Sequence, residues 1–248
     1  MSTLVLPPKR VIADELLRMI TSGEIEPSGR LPSMREIAQS RRVALNTAKA
    51  AFDILADWGA AFSTGPGGTR AAGADRVLSP QQRLARMLAG HSPLGYGETS
   101  HNHSTGYAHE VPQRVRDALQ VPNGRIALRR GVVRRRDQAH PDGFVVEVTD
   151  VWHGEWVAER VPQVLDPTPI PDGTVNALAR ANLEIHPRRG LSTGGATRAE
   201  AAWAELMGVE PGSPVLRLKA VRADPDGRPL EYLETGFPEH VEMDWMTF

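Results

Sequence analysis

The tetrapeptide Ser33-Met34-Arg35-Glu36 constrains this chain more than any other stretch. The serine hydroxyl can accept from the amide three residues on while the glutamate reaches back to the serine N–H, which satisfies two of the free donors at a helix start. Ile37 and Ala38 then face inward on a short helix, and a tight turn near Arg41–Val43 leads to another helix, about Asn46 to Asp57. Its inner stripe is Ala48, Ala51, Phe52 and Leu55, at helical spacing. Upstream, Val11, Ile12, Leu16, Met19 and Ile20 give a similar stripe over residues 9–22, which Gly23 ends. Leu31 is the core residue of the Pro/Gly-rich link between Glu24 and Pro32. Downstream, Ala60 to Ser63 and Thr69 to Ala71 read as short strands around a Gly65-Pro66-Gly67-Gly68 tip. Three helices and a hairpin within about 75 residues describe a winged helix-turn-helix.

Charge agrees with that reading. The 248 residues carry 29 Lys+Arg against 30 Asp+Glu, so the whole chain is no polyanion binder. Between Arg30 and Lys49, however, five basic residues face one acid. Phosphate contacts need such a local basic face. Asn46, Thr47, Lys49, Ala50 and Asp53 point outward on the third helix. There Asn could pair with adenine, and Lys with guanine or phosphate, in a major groove. A solvated surface with Asn46 as a mere helix cap is the plainer alternative.

A second segment follows Gly73. Pro80 to Leu88 reads as a linker helix, and the polar stretch Ala89–His109 as a loop. Val115–Leu119, Thr174–Ala181 and Arg198–Met207 are expected helices. Ile126–Val133, Phe144–Trp152, Val215–Val221 and Leu230–Phe237 are expected strands, with Asp226-Gly227 turning the last pair. Helices interleaved with paired strands imply an α+β module on an antiparallel sheet.

Leu31-Pro32-Ser33-Met34-Arg35-Glu36-Ile37-Ala38, Val43 to Lys49 and Gly67-Gly68-Thr69 together resemble the GntR family of bacterial repressors. That resemblance implies DNA contacts at Ser33, Arg35, Asn46, Thr47, Lys49, Gly67 and Gly68. Two departures bear on the operator: Ala44-Leu45 replaces the family's Ser-Arg, and Ser63-Thr64 replaces the wing's arginine pair. Leu128-Arg129-Arg130, Ile170 to Gly173, Glu200 to Val209, Pro214 to Leu216 and Asp226 to Glu231 resemble the effector domain of the HutC subfamily, a chorismate-lyase-like α+β fold. This second resemblance implies a small-molecule effector held by Arg130, Thr149, Ser192 and Glu231, with Asp150 an alternative to Thr149. Ser192-Thr193-Gly194 stands where the family has Ser-Ala-Arg, and Phe237 where it often has Tyr, so a phosphosugar fits less well than a less charged or more apolar effector.

Other motifs carry less. Residues 114–136 hold eight arginines against Asp117 alone. A second nucleic-acid surface, an anion pocket, or ordinary outward-facing strand residues would each account for them. Only three of the chain's basic residues are lysine, an arginine bias that suits GC-rich coding. Gly190-Leu191-Ser192-Thr193-Gly194 matches a nucleophile elbow with Asp224, Asp226 and His240 after it, but no buried strand precedes it. A flexible Gly-rich loop is the better reading. His101, His103 and His109 read as surface loop residues rather than metal ligands, and Trp152, Trp156 and Trp203 as core or interface aromatics.

The chain contains no cysteine, which suits a reducing compartment, and its apolar runs fall far short of the ~20 residues needed to span a bilayer. The N-terminus has no signal-peptide pattern. The expectation is a cytoplasmic homodimer that binds a double-stranded DNA operator and a small-molecule effector, with no membrane partner, cofactor or metal, and no enzymatic activity. Its expected divisions are a winged helix-turn-helix over 1–74, a linker over 75–106, and an effector-binding and dimerisation module over 107–248. The alternatives are a constitutive repressor whose second module only dimerises, or a lyase- or hydrolase-like enzyme.

Overall fold

A computed structural model describes residues 7–73, 76–88, 92–95, 97–136, 140–170, 173–186 and 192–243. The N-terminal module is built from α1 (Pro8–Thr21), α2 (Met34–Ser40) and α3 (Leu45–Asp57), followed by the hairpin β1 (Ala61–Ser63) and β2 (Thr69–Ala71). Its core joins Ile12 and Leu16 of α1, Ile37 of α2 and Ala48, Phe52 and Leu55 of α3. The capping box is complete: Glu36 N–H donates to Ser33 Oγ at 3.2 Å, and Ser33 N–H to Glu36 Oε2 at 2.6 Å. The helix starts there because two orphan donors are met locally. Leu31 N–H donates to Thr69 O, tying the link to the wing.

The second module is a six-stranded antiparallel sheet in the order β4-β5-β6-β9-β8-β7. The strands are β4 (Glu98–Tyr107), β5 (Ile126–Arg135), β6 (Phe144–Gly154), β7 (Ser192–Arg198), β8 (Pro214–Ala223) and β9 (Pro229–Pro238). Two elements run outside this sheet: β3 (Arg76–Val77) pairs in parallel with β10 (Glu242–Met243).

Helices cover both faces. α5 (Gln113–Leu119) and α8 (Ala201–Met207) lie on one, where Trp203 is buried among Val132, Val148 and Val215. α8 approaches β9 so closely that a Cβ on Gly236 would sit 2.3 Å from the Trp203 ring. The other face carries α4 (Pro80–Leu88), α6 (Glu155–Arg160), a 3-10 turn at Pro162–Leu165 and α7 (Gly173–Arg180). The architecture is thus mixed α+β, a winged helix-turn-helix joined to an antiparallel-sheet module.

Several readings need correction. The stretch Ala89–His109 contains β4, a ten-residue strand, rather than being all loop. It is an edge strand with a bulge at Asn102–Ser104, so its outer residues need not be apolar. Ser192 to Gly194 open β7, the opposite edge, rather than a loop; Gly190 and Leu191 lie outside the described residues. Arg198 closes β7, and the helix after it begins only at Ala201. α4 is no free linker either. Arg83 and Met87 are buried, and Asn176 of α7 donates to Met87 O at 3.1 Å.

Candidate functional site

Two concave surfaces stand out, one in each module. The first lies between α2, α3 and the wing, in a hollow of about 370 Å³ that Arg30, Ser33, Arg35, Asn46, Lys49 and Gly68 help to line. α3 begins at Leu45 with Ala44 as its N-cap and no side-chain cap, so Asn46 is an exposed groove residue and not a cap. Lys49 and Asp53 are also exposed, whereas Thr47 is half-buried and outside the hollow. Leu45 is 49% exposed at the tip of the helix. Gly68 has φ +84°, which favours glycine, and a Cβ there would meet the Arg30 guanidinium at 3.3 Å. Gly67 lies outside the hollow, and a Cβ on it would meet Thr64 Oγ1 at 2.5 Å. The wing therefore favours glycine at 68 for its backbone conformation, while a side chain at 67 would displace the Thr64 hydroxyl.

The second surface is a cavity of about 420 Å³ on the sheet face under α4 and α7. Its apolar wall includes Met87, Leu94, Val151, Ile170, Leu218 and Leu233. Polar groups enter from Gln81, Arg83, Arg129, Glu147, Thr149 and Arg222. Thr193 and Gly194 of the edge strand also border it. Pro171 and Asp172 of the expected motif lie outside the described residues, and of Ser192 only the backbone is described.

Of the residues expected to bind effector, Thr149 lines the cavity and donates to Glu147 Oε1 at 2.7 Å. Arg130 does not. Alternation along β5 turns Arg129 and Gly131 to the cavity and Arg130 to the opposite face. There Arg130 grips Asp150 through two 2.6 Å hydrogen bonds, and Trp203 Nε1 donates to the same carboxylate. The alternative Asp150 is thereby also placed away from the cavity. A one-residue offset exchanges the two faces of a strand, and adjacent arginines gave the sequence no means of choosing. Glu231 is fully buried and accepts from Arg222 Nη1 at 2.5 Å, so it reaches the cavity only through Arg222. Arg130 and Glu231 therefore each have a partner of their own, Asp150 and Arg222.

The cavity's guanidinium groups are all engaged. Arg83 donates to Glu98 at 2.7 and 3.1 Å and to Pro93 O, and its Nε lies 2.9 Å from Glu147 Oε2. Burial alone would raise the Glu98 pKa, but Arg83 and the Gly95 N–H outweigh it and hold that carboxyl below its ordinary range. Arg129 donates to the carbonyls of Gln163, Asp166 and Thr168, fixing the loop after the 3-10 turn. Sequence reasoning missed Arg83, Glu98 and Glu147, because a triad assembled from α4, β4 and β6 leaves no local pattern.

At least five of the eight arginines in the 114–136 run have partners within the fold. Arg114 pairs with Glu234, Arg125 with Glu155, Arg130 with Asp150, and Arg116 and Arg129 donate to carbonyls. These groups diverge to different faces and form no single stripe. The hydrolase pattern also disperses: Asp224 accepts from the N–H groups of Asp226 and Arg228 within its own turn, and His240 stacks edge-on against Phe144.

His153 lies behind the cavity, fully buried, with Nε2 4.0 Å from Glu231 Oε2. Burial pushes its pKa below the usual histidine range, against the opposing pull of Glu231 and Leu230 O. A lowered histidine pKa means the unfolded chain binds more protons near neutrality, so stability should fall as pH drops from about 7 to 5. Urea denaturation across that range tests this: His153→Gln should flatten the slope, and an unchanged slope would place its origin elsewhere.

Fold and surfaces together define a two-module DNA-binding transcription regulator. Residues 8–70 match the profile of bacterial regulatory proteins of the gntR family, and residues 157–240 match the UTRA domain. The chain belongs to the GntR family, with a UTRA domain as its second module. It is 28% identical over 240 residues to the uncharacterized HTH-type transcriptional regulator RB1450 of Rhizobium meliloti (strain 1021), covering 92% of this chain and 89% of that one. The fold is similar to PhnF from Mycobacterium smegmatis, with TM-score 0.54, 16% identity and coverage of 96% and 99%. It is also similar to YydK from Bacillus subtilis, with TM-score 0.52, 15% identity and coverage of 98% and 100%. Among the described residues no helix is long and apolar enough to cross a membrane.

Proposed function

We propose that the chain is a cytoplasmic, homodimeric repressor whose hold on a double-stranded DNA operator is set by a small-molecule effector in the sheet cavity. The observation that carries this reading is the cavity's roof. Gln81, Arg83 and Met87 belong to α4, the first helix after the winged module, so whatever fills the cavity touches the element that leads to DNA. Residues 1–74 would read the operator, and the sheet module over 107–248 would bind effector and dimerise, with α4 and β4 from the intervening 75–106 docked on it. Effector binding that shifts α4 would move two winged helices off half-sites one turn apart, about 34–36 Å. A coupling of about 1–3 kcal/mol changes operator affinity roughly 5–150-fold. The chain acts by binding rather than by catalysis.

Ser33, Arg35, Asn46, Thr47, Lys49, Gly67 and Gly68 are the proposed DNA contacts. Ser33 Oγ accepts from Glu36 N–H and keeps its own hydrogen for a phosphate. Leu45, where the family pattern has Arg, offers an apolar side chain suited to a thymine methyl rather than a guanine edge. Selection from random DNA should return a pseudo-palindrome, and recovery of unrelated sequences would end this reading. On the selected DNA, Arg35→Ala and Lys49→Ala should each weaken binding about tenfold while leaving the fold intact. If Lys49 meets only phosphate, its loss should be equal on all sequences and lower the salt slope by about 1.

A further inference from the structure

The cavity lacks hydrogen-bond donors more than it lacks cations. Three of the described buried side-chain atoms without a hydrogen-bond partner are Gln81 Oε1, Arg83 Nε and Glu147 Oε2, and all three residues border this one cavity. Arg83 Nε and Glu147 Oε2 lie 2.9 Å apart, close enough to attract but misaligned for a hydrogen bond. Against one open donor, the Arg83 Nε–H, stand two open acceptors: a carboxylate oxygen that takes no aligned donor, and an amide oxygen on α4. Glu147 is 7% exposed, so solvent does little for it. Unmet buried acceptors are costly, and a ligand that supplies donors recovers that cost.

Positive charge, in contrast, is largely committed. Arg83 is matched by Glu98 and Glu147, and Arg222 by Glu231. Lys219 borders the cavity too, but alternation along β8 turns it with Arg217 to the other face, where Arg217 meets Glu200. Arg129 alone lacks a hydrogen-bonded carboxylate, and its guanidinium already holds three loop carbonyls.

We infer that the effector is an amine carried on an apolar body, its N–H groups donated to Glu147 Oε2 and Gln81 Oε1 and its body lying against Val151, Leu218 and Leu233. This rests on the cavity being the effector site and names the class of molecule it takes.

The test uses the full chain and four probes that share one apolar body: 4-phenylbutylamine, 4-phenylbutanol, 4-phenylbutanoate and 4-phenylbutyl phosphate. Calorimetry should rank the amine first, the alcohol next and the two anions last. Glu147→Gln should weaken amine binding roughly 10- to 100-fold, as loss of a hydrogen bond to a charged group does. Gln81→Leu, on a partly exposed helix position that tolerates the change, should weaken it several-fold and covers the case in which Glu147→Gln fails to fold. Tighter binding by either anion, binding by no probe, or amine binding indifferent to both substitutions overturns the inference. Adding each probe to the complex with selected DNA separates the two levels. An anion that binds and releases DNA refutes the amine and keeps the regulator; an amine that binds by way of Glu147 yet leaves DNA affinity unchanged supports the amine and refutes the coupling.

Discussion

Arg83→Met should cost about 3–5 kcal/mol of stability at neutral pH, the usual penalty when one partner of a buried ion pair is removed. Arg83 is 6% exposed and serves two carboxylates, Glu98 at 2.7 Å and Glu147 at 2.9 Å, which are themselves 8% and 7% exposed. Methionine keeps the apolar stem but leaves two charges in a poorly solvated space. The defect should ease with acid. In the wild type, Glu98 has a lowered pKa, so its contribution is present above the ordinary carboxylate range and disappears as pH falls through the lowered value. In the variant the stranded Glu98 carboxyl instead gains by taking up a proton. The difference in urea midpoint between the two proteins should therefore shrink from about pH 7 to pH 4. A constant difference would mean that methionine's poor packing, not unpaired charge, is responsible. Because α4 roofs the cavity and leads to the winged module, the same variant tests whether docking of this helix sets DNA affinity. Loosened α4 should change operator binding before the sheet itself unfolds.

What the sequence made legible was local, and what it hid was assembled at a distance. The capping box at Ser33 and Glu36, the stripe Ala48-Ala51-Phe52-Leu55 and the wing turn are each closed within a few residues, and the observed elements follow them closely. Strands β5, β6, β8 and β9 are buried enough to show as apolar runs. The edge strands β4 and β7 are polar or Gly-rich because one side has no neighbouring strand, and their pairing partners lie elsewhere in the chain. The cavity was the least legible part. Its location follows from which face of β5 and β6 lies under α4 and α7, and a motif such as Leu128-Arg129-Arg130 contains both faces at once. Glu98, Glu147 and Arg83 come from separate elements and resemble ordinary surface charges until the fold brings them together.

Glu231→Ala is the second large effect, again about 3–5 kcal/mol, because it strands the Arg222 guanidinium against the sheet. The carboxylate is fully buried, accepts from Arg222 at 2.5 Å, and sits across the strand pair from it in register. Glu231→Gln keeps the volume and one acceptor, so it should cost less while still leaving Arg222 with an unbalanced charge facing the cavity. That charge makes a prediction that a purely structural role would not. With Glu231 neutralised, the cavity gains a cation, so the Gln variant should bind 4-phenylbutanoate more tightly than the wild type does and 4-phenylbutylamine less tightly. If Glu231 instead touched the effector directly, the Gln variant would weaken its preferred probe without improving the opposite one. If its role ended at packing, both affinities would stay put while the urea midpoint fell. A crossover in head-group preference accompanied by lost stability is the outcome that a buried Arg222–Glu231 pair at the cavity wall requires.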